Sequence, residues 1–304
     1  MDTHVTSTPP IAIENLTKRY GSLTAVSGLS LSVAPGEVLG FLGPNGAGKT
    51  TTIRTLMGFL SPTSGRCSVL GGWPGRDIAV RRRIGYLPGD FRDDPWMTPR
   101  ELFGWFSKLR GGIDTGHIQA LADRLRLETD QRFGTLSKGN RQKVGLVQAF
   151  MHDPDVLILD EPTSGLDPLL QHEFQRMVHE ATQRGATVLF SSHVLPEVEQ
   201  IATRVAMISR GRLLKVTTID QLFDQTRHRL ELRYAGPIPA GLFTAVQGVV
   251  DSEISGTTAS ITIDGPAGPA MRVAAAQPGL LRVRSSSDDL EDLFVSLYAP
   301  ETEA

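Results

Sequence analysis

Apolar positions along the chain change their period several times, and these changes predict an α/β fold. The segments "PDVLILDEP" and "GATVLFSSH" are continuous apolar runs that end in polar residues, which is typical of parallel strands buried on both faces. The segment "EVLGFLGPNGAGKTTTIRTLMGFL" passes from a buried strand through a glycine loop into a helix. Short strands are also predicted in "IAIENLTKRYG" and "LSLSVAPGEVLGFLG". Helices between the buried strands then predict an α/β core.

Composition and pattern divide the 304 residues into a main domain and smaller parts. Residues 1–10 form a polar, proline-ended leader that we predict to be flexible, and 11–219 form the main domain. Within it, residues 91–150 are predicted to be an inserted, mostly helical arm. Residues 225–304 are predicted to form a small α+β accessory domain, because "HRLELRYAG" and "ASITIDG" alternate like antiparallel strands and "SDDLEDLFVSLY" has helical spacing.

Charge and cysteine content narrow the classes of partner. Lys plus Arg total 31 against 33 for Asp plus Glu, so the net charge of −2 provides no general attraction for nucleic acid. The run at 81–83 is three arginines, which is more often a solvated face than a nucleic-acid site. Cys67 is the only cysteine and cannot form an internal disulfide. No apolar run approaches the ~18 residues that span a bilayer, and the start lacks a secretory layout. We therefore predict a cytoplasmic chain that works at a membrane only through a partner.

The segment "GPNGAGKT", residues 43–50, fits the phosphate-loop pattern Gly-x-x-x-x-Gly-Lys-Thr. Glycines let backbone N–H groups converge on phosphate oxygens, and the following helix presents its positive end. Lys49 is placed to reach the terminal phosphates, and Thr50 to ligate Mg²⁺. By itself this motif leaves kinases, GTPases and ATPases open. The predicted nucleotide-binding residues of the loop are Gly43, Pro44, Asn45, Gly46, Ala47, Gly48, Lys49, Thr50 and Thr51.

Two further strand ends carry polar side chains that suit nucleotide chemistry. Asp160 ends the apolar run "VLILDE" and is placed to hold magnesium, while Glu161 can accept a proton from an attacking water. An Asp-Glu pair after a strand is otherwise often only a helix cap. His193 follows the strand in "LFSSH", where α/β sheets place groups that contact ligands, although a lone histidine is more often structural.

The turn "TLSKGNRQKVG" opens a helix far along the chain from the phosphate loop. Ser137 and Gly139 supply a hydroxyl and a small residue at that helix start, which predicts a second anion-binding helix terminus. The phosphate loop and this helix start are far apart in the sequence, so a single chain does not easily bind one triphosphate with both. A second copy turned head to tail would instead present its helix end across the nucleotide.

These motifs together resemble the nucleotide-binding subunit of an ABC transporter, over residues 11–215. "GPNGAGKT" matches its phosphate loop, "LSKGN" its signature, "VLILDEP" its magnesium strand, "SGLD" its dimer-contact loop and His193 its switch histidine. The resemblance implies a P-loop NTPase core with an antiparallel β subdomain and an inserted helical subdomain. It also implies a head-to-tail dimer that sandwiches two ATP molecules with Mg²⁺. It implies that Ser137, Gly139 and Asp167 act in trans, and that Tyr20 stacks on adenine unless it is only a half-buried strand tyrosine.

Two positions depart from the family pattern. The signature has Lys138 and Asn140 where Gly and Gln are common, and "IGYLPGD" has Gly89 where the lid glutamine is expected. Either Asp90 substitutes for that glutamine or the lid responds through backbone movement alone. "YLPGD", "LRGG" and "SKGNRQKV" together resemble the stand-alone ATPases of ABC-2 type drug and antibiotic exporters.

The predicted function is that of an ATP-hydrolysing subunit which drives export of a drug, antibiotic or other hydrophobic compound through a separate membrane permease. The lid region, 86–110, is the predicted docking surface, and its dense aromatic residues serve either a partner groove or the core. The alternative is a soluble ABC ATPase acting on DNA or ribosomes. Such chains usually carry two cassettes or a long coiled coil, and this sequence has one phosphate loop and no heptad run. A module that holds ATP without hydrolysing it is disfavoured by the paired Asp160 and Glu161.

Overall fold

The computed structural model describes residues 8–224 and 227–286. The chain divides into two compact units, Met1–Val216 and Thr217–Ala304, and each has its own cluster of buried apolar side chains. The helix predicted in "SDDLEDLFVSLY" lies outside the described residues. The division of the chain into domains with separate roles stays a prediction.

The described residues form thirteen strands, nine α-helices and one short 3-10 helix at Phe133–Thr135. The strands are β1 Ile11–Tyr20, β2 Leu23–Val33, β3 Val38–Leu42, β4 Ser64–Val69, β5 Ile84–Leu87, β6 Val156–Asp160, β7 Thr187–Ser192, β8 Arg204–Ser209, β9 Arg212–Thr218, β10 Arg227–Tyr234, β11 Val249–Ser255, β12 Thr258–Asp264 and β13 Leu280–Ser286. The α-helices are α1 Lys49–Leu56, α2 Ile78–Arg82, α3 Pro99–Leu109, α4 Thr115–Arg124, α5 Lys138–Phe150, α6 Pro168–Gln183, α7 Leu195–Ile201, α8 Ile219–Asp224 and α9 Gly268–Ala276.

A six-stranded sheet with the order β5-β6-β7-β3-β8-β9 forms the centre of the first unit. Every residue of β3, β6 and β7 is buried, as their continuous apolar sequences predict. These strands run parallel, so β3, β6 and β7 all end at the same edge of the sheet. This arrangement places the phosphate loop, Asp160 and His193, which follow those three strands, at one edge.

A three-stranded antiparallel sheet with the order β2-β1-β4 belongs to the same unit. Its strand β1 pairs with β2 over Ile11↔Val33 and with β4 over Ile11↔Val69. The apolar side chains of this sheet, including Leu16 and Val26, join those of the central sheet in one buried cluster. The strands predicted early in the sequence are therefore confirmed, and Tyr20 is the last residue of β1.

The predicted helical arm contains helices α3, α4 and α5. Thr98 caps α3 through a capping box with Glu101, since its hydroxyl accepts from the Glu101 N–H and the Glu101 carboxylate accepts from the Thr98 N–H. Among the arm's aromatic residues, Phe103 is buried in the core, whereas Trp96 and Trp105 are largely exposed. Core packing thus accounts for Phe103 and leaves the two tryptophans available to a partner.

The second unit is an α+β structure with a four-stranded antiparallel sheet in the order β11-β12-β10-β13. Its inward side chains, among them Leu232, Tyr234 and Ile261, form a cluster with Ala270 and Ala274 of α9. The Tyr234 hydroxyl donates to the carbonyl of Ala274 at 2.9 Å. The predicted fold, an α/β nucleotide-binding core with an antiparallel sheet, a helical insertion and an α+β appendix, is confirmed.

Candidate functional site

The phosphate loop joins the end of β3 to the start of α1. Gly46 and Gly48 adopt positive φ values of 80° and 107°, and a Cβ at Gly48 would lie 2.7 Å from the carbonyl of Ala25. Glycine is therefore required there both by conformation and by space. Helix α1 has no side-chain cap and no acidic residue in its first turn, so its N–H groups remain available to an anion. A cavity of about 330 Å³ lies at this loop, lined by Tyr20, Leu23, Ala25, Pro44, Asn45, Gly46, Ala47, Gly48, Lys49, Thr50, Thr51 and Glu161.

The Lys49 side chain is folded back over the loop. Its ammonium donates to the carbonyls of Gly43, at 2.5 Å, and Pro44, at 3.3 Å. It also forms an ion pair with Glu161, with Nζ 3.2 Å from Oε1. These partners hold the positive charge at the floor of the cavity. An ammonium held in this way can exchange the Glu161 carboxylate for phosphate oxygens without moving far.

Asp160 is buried, at 1% exposure, and only one of its oxygens is paired within the described residues. Its Oδ1 accepts a hydrogen bond from the Ser191 hydroxyl at 2.6 Å, whereas Oδ2 has no partner. An unpaired buried carboxylate oxygen is costly unless a ligand uses it. A carboxylate oxygen and a hydroxyl such as that of Thr50 are the hard oxygen donors that Mg²⁺ takes alongside phosphates. The donor set therefore fits magnesium.

Glu161 and His193 are brought together by the pairing of β6 with β7. His193 Nδ1 lies 2.8 Å from Glu161 Oε2, and the other carboxylate oxygen faces Lys49. Glu161 has a φ of +50°, which non-glycine residues adopt only when their surroundings enforce it. The carboxylate is thus held between the Lys49 ammonium and the His193 imidazole, beside the phosphate loop.

The sequence motifs did not identify Ser191 or Gln142, and both contact these residues. Ser191 Oγ accepts from the Glu161 N–H at 3.0 Å and donates to Asp160. Gln142 Nε2 donates to the carbonyl of Glu161 at 3.0 Å. The sequence signal that could have identified Ser191 is a hydroxyl at the end of a buried strand. A buried hydroxyl seldom lacks a hydrogen-bond partner, so its position suggests a polar neighbour.

The signature turn lies in a different environment from the phosphate loop. Ser137 is the N-cap of α5, and its Oγ accepts from the Asn140 N–H at 3.2 Å. A Cβ at Gly139 would lie 2.6 Å from the carbonyl of Gly165, so the turn packs closely on the segment that leads to Asp167. Asp167 in turn caps α6 by accepting from the Leu170 N–H at 3.0 Å. In this chain, Gly139 therefore lies beside the segment that precedes Asp167, and none of Ser137, Gly139 and Asp167 lines the cavity at Lys49.

Lys138, which departs from the family pattern, bonds within its own chain. Its ammonium donates to the Ser164 hydroxyl at 2.9 Å, which ties the signature turn to the segment before Asp167. The Lys138 ammonium is thus directed to Ser164 of its own chain.

The lid segment passes close to Asp160. A Cβ at Gly89 would lie 3.2 Å from the free Oδ2 of Asp160, so a side chain at this position would contact that oxygen. Asp90 points to Arg92, whose Nε donates to its carboxylate at 2.7 Å. This hydrogen bond lowers the pKa of Asp90, although the group is well exposed. Asp90 is therefore engaged with Arg92, which leaves the backbone at Gly89 as the part of the lid nearest the site.

The Tyr86 hydroxyl lies on the strand that leads into this lid. Burial, followed by the negative charge of Asp160, raises the pKa of Tyr86 to about 12. The phenol therefore stays protonated and adds no charge beside the carboxylate.

The family model described as ABC transporter matches residues 26–164. The chain is 35% identical over 303 residues to Nod factor export ATP-binding protein I of Burkholderia orbicola (strain AU 1054), covering 97% of this chain and 99% of that protein. It is also 35% identical over 303 residues to bacitracin transport ATP-binding protein BcrA of Bacillus licheniformis, covering 96% of this chain and 98% of that protein.

A solved structure, described as the ATP binding subunit of an ABC transporter, superimposes with a TM-score of 0.65 at 28% identity. The superposition covers 70% of this chain and 91% of the chain in the solved structure. The resemblance to the stand-alone ATPases of exporters is confirmed, and the alternative of an ATPase acting on DNA or ribosomes is not favoured. In the part of the chain that the structure describes, no helix combines the length and apolar character needed to cross a bilayer. The chain therefore belongs to the ABC transporter family, as one of its ATP-binding and ATP-hydrolysing subunits.

Proposed function

We propose that this subunit drives export of a drug, antibiotic or other hydrophobic compound through a separate membrane permease. The observation that carries the proposal is the convergence of Lys49, Asp160, Glu161 and His193 at one edge of the central sheet. The relatives named for Nod factor export and bacitracin transport supply the direction and the class of compound. The subunit would then lie on the inner face of the cell membrane, held there by the permease.

At the site, Lys49 and the backbone N–H groups of the phosphate loop would bind the β- and γ-phosphates, and the exposed ring of Tyr20 would stack on adenine. Asp160 and Thr50 would hold Mg²⁺, which when bound neutralises charge on the phosphates. Glu161 would take a proton from the attacking water while the water oxygen bonds to the γ-phosphorus and the bond from that phosphorus to ADP breaks. His193 would orient the Glu161 carboxylate through its Nδ1.

Two such subunits would act as a head-to-tail dimer. The cavity at Lys49 is open and is not lined by Ser137, Gly139 or Asp167 of the same chain. A second copy could bring its own Ser137 hydroxyl and α5 N-terminus to the γ-phosphate, where the positive helix end stabilises negative charge. Each ATP would then be bound by one subunit's phosphate loop and the other's signature turn.

The permease is expected to dock on the lid and arm. Trp105 and Leu109 of α3 are 53% and 52% exposed, and Trp96 is 72% exposed beside Arg132. Exposed tryptophans on an arm next to the lid would connect a membrane partner to the nucleotide site through the backbone at Gly89.

This docking predicts that Trp105→Glu separates the subunit from its membrane partner. We expect a multi-span membrane protein encoded beside this chain to co-purify with it. Trp105→Glu should reduce that recovery at least ~10-fold, because a charge replaces an aromatic side chain that the interface would bury. Val250→Glu is the matched control, since Val250 is equally exposed, at 53%, in the second unit. Equal recovery of both variants would contradict the docking surface, and failure of any such membrane protein to co-purify would contradict the exporter role.

We also propose that residues 11–219 bind and hydrolyse ATP, while 225–304 stabilise the dimer or its coupling. The contacts among Lys49, Asp160, Glu161 and His193 all lie within the first unit. A chain ending at residue 224 should therefore bind a fluorescent ATP analogue with a Kd within ~3-fold of the full chain and should form a weaker dimer. If the folded truncation lost nucleotide binding, the proposed division would be wrong.

A further inference from the structure

The backbone of Glu161 is held in a conformation that its own side chain disfavours. Its φ of +50° places a β-carbon-bearing residue in the left-handed region, directly after the last residue of β6. Such a conformation persists only where neighbouring groups enforce it, and it is found preferentially at functional sites. The direction of the Glu161 carboxylate therefore depends on the groups that fix its peptide units.

The carbonyl side of Glu161 is fixed by Gln142 of α5. Gln142 Nε2 donates to the carbonyl of Glu161 and to that of Pro162, at 3.0 Å each. Carbonyl oxygens only accept hydrogen bonds, so the amide nitrogen of Gln142 must face them. The side chain is 2% exposed, so water does not compete for these contacts. Both amide hydrogens of Gln142 are thus committed to the turn that contains Glu161.

The N–H side is fixed by Ser191, which lies opposite Asp160 in the β6-β7 pairing. Its hydroxyl accepts from the Glu161 N–H at 3.0 Å and donates to Asp160 Oδ1 at 2.6 Å. Because this contact also involves Asp160, a change at Ser191 would disturb two groups of the site at once. The two hydrogen bonds that Gln142 donates to the turn both go to backbone carbonyls, so a change there affects the turn without removing a partner of Asp160.

We propose that Gln142 is a positioning residue for Glu161. Its amide holds the left-handed turn so that the Glu161 carboxylate lies between Lys49 and His193, and this inference rests on the proposed role of Glu161 as the base. Gln142 belongs to the helix that starts at the signature turn, with Ser137 as its N-cap. A movement of α5 when Ser137 engages a nucleotide would therefore move the backbone of Glu161 in the same subunit.

The test compares Gln142→Met with Gln148→Met in the full-length protein. Met has a similar length but cannot donate to the two carbonyls, so we expect Gln142→Met to lower kcat ~10–100-fold, as slight misplacement of a reacting group does. The KM for ATP should stay within ~2-fold, because the phosphate loop is untouched. Gln148 is also buried, at 7% exposure, on the same helix, and its replacement should leave kcat within ~2-fold of the wild type.

A double-mutant comparison separates positioning from general damage. If Gln142 acts through Glu161, adding Gln142→Met to Glu161→Gln should slow the residual hydrolysis by less than ~2-fold. The Glu161→Gln protein and the double variant should both still form ATP-driven dimers. A normal kcat for Gln142→Met, full additivity with Glu161→Gln, or loss of the dimer with normal turnover per dimer would each overturn the inference. Near-normal turnover of Glu161→Gln alone would instead contradict the base role itself, and the two failures are therefore distinguishable.

A second variant covers the case in which Gln142→Met does not fold. Gln142→Asn keeps the amide but draws it back by one methylene, so at most one of the two carbonyls remains within reach. We expect a lowered kcat with an unchanged KM and a circular dichroism spectrum like that of the wild type. A folded Gln142→Asn protein with wild-type kcat would overturn the proposal.

Discussion

Mixing Lys49→Ala subunits with Ser137→Arg subunits, all on the Glu161→Gln background, should restore ATP-driven dimers that neither variant forms alone. A mixed dimer contains one composite site in which the phosphate loop of the Ser137→Arg subunit is intact and the signature of the Lys49→Ala subunit is intact. The other site is broken twice. Light scattering at saturating ATP measures the recovery, and nucleotide binding by each monomer is measured in parallel.

The expected loss in Ser137→Arg alone is ~100-fold or more in dimer affinity, which corresponds to about 2.8 kcal/mol. The substitution removes a hydroxyl that would bond to a charged phosphate and inserts a bulky side chain where Gly139 already packs against Gly165. It should spare ATP binding by the monomer, since Lys49, Thr50 and Tyr20 are unchanged. Loss of the α5 N-cap, worth about 1 kcal/mol, is a separate effect.

Ser137→Thr controls for the cap, because threonine keeps a hydroxyl that can both cap α5 and donate to phosphate. It should dimerise nearly as the parent does. ATP-dependent dimers formed by Ser137→Arg on its own would show that this turn is only a helix start. Absence of dimers in the mixture, when Ser137→Thr forms them, would contradict the head-to-tail arrangement.

Glu161→Gln should hydrolyse Mg-ATP at least ~100-fold more slowly than the wild type, within the range for loss of a general base. Binding should be retained, because the neutral amide no longer pairs with the Lys49 ammonium and leaves it for the phosphates. Phosphate release under saturating ATP measures turnover, and a fluorescent ATP analogue measures binding.

Glu173→Gln is the matched control for that experiment. The Glu173 carboxylate is 14% exposed and paired with Arg124, whereas that of Glu161 is 20% exposed and paired with Lys49. The control removes a comparable charge outside the nucleotide site and should turn over ATP at close to the wild-type rate. Near-normal turnover of Glu161→Gln would remove Glu161 from the role of base.

Much of the architecture was predictable because the burial of each element depends on its own sequence. The unbroken apolar run before Asp160 is typical of a strand covered on both faces, and β6 is buried throughout. The phosphate loop could also be predicted from a short segment, since its glycines, Lys49 and Thr50 lie together in the sequence and require no distant partner. The roles of Glu161 and His193 could be proposed from their positions at strand ends.

The contacts of the site were less predictable, because they depend on which buried polar groups meet. Nothing in the sequence near Asp160 indicates that Ser191, 31 positions away, would occupy one of its oxygens. The departure at Gly89 illustrates the same point. The closeness of Gly89 to the free oxygen of Asp160 is a feature of the tertiary structure that the motif does not reveal.

The sequence by itself determined the order of strands, loops and helices and the residue types available for phosphate chemistry, since hydrophobic period and loop composition act over a few residues. Only the tertiary structure decided that Gln142, Ser191 and Lys49 would surround Glu161. The physical reason is that buried hydrogen-bonding groups must find partners wherever strand register and helix packing place them. Those placements follow from the packing of the whole unit, so the local pattern that specifies each element does not specify its polar neighbours.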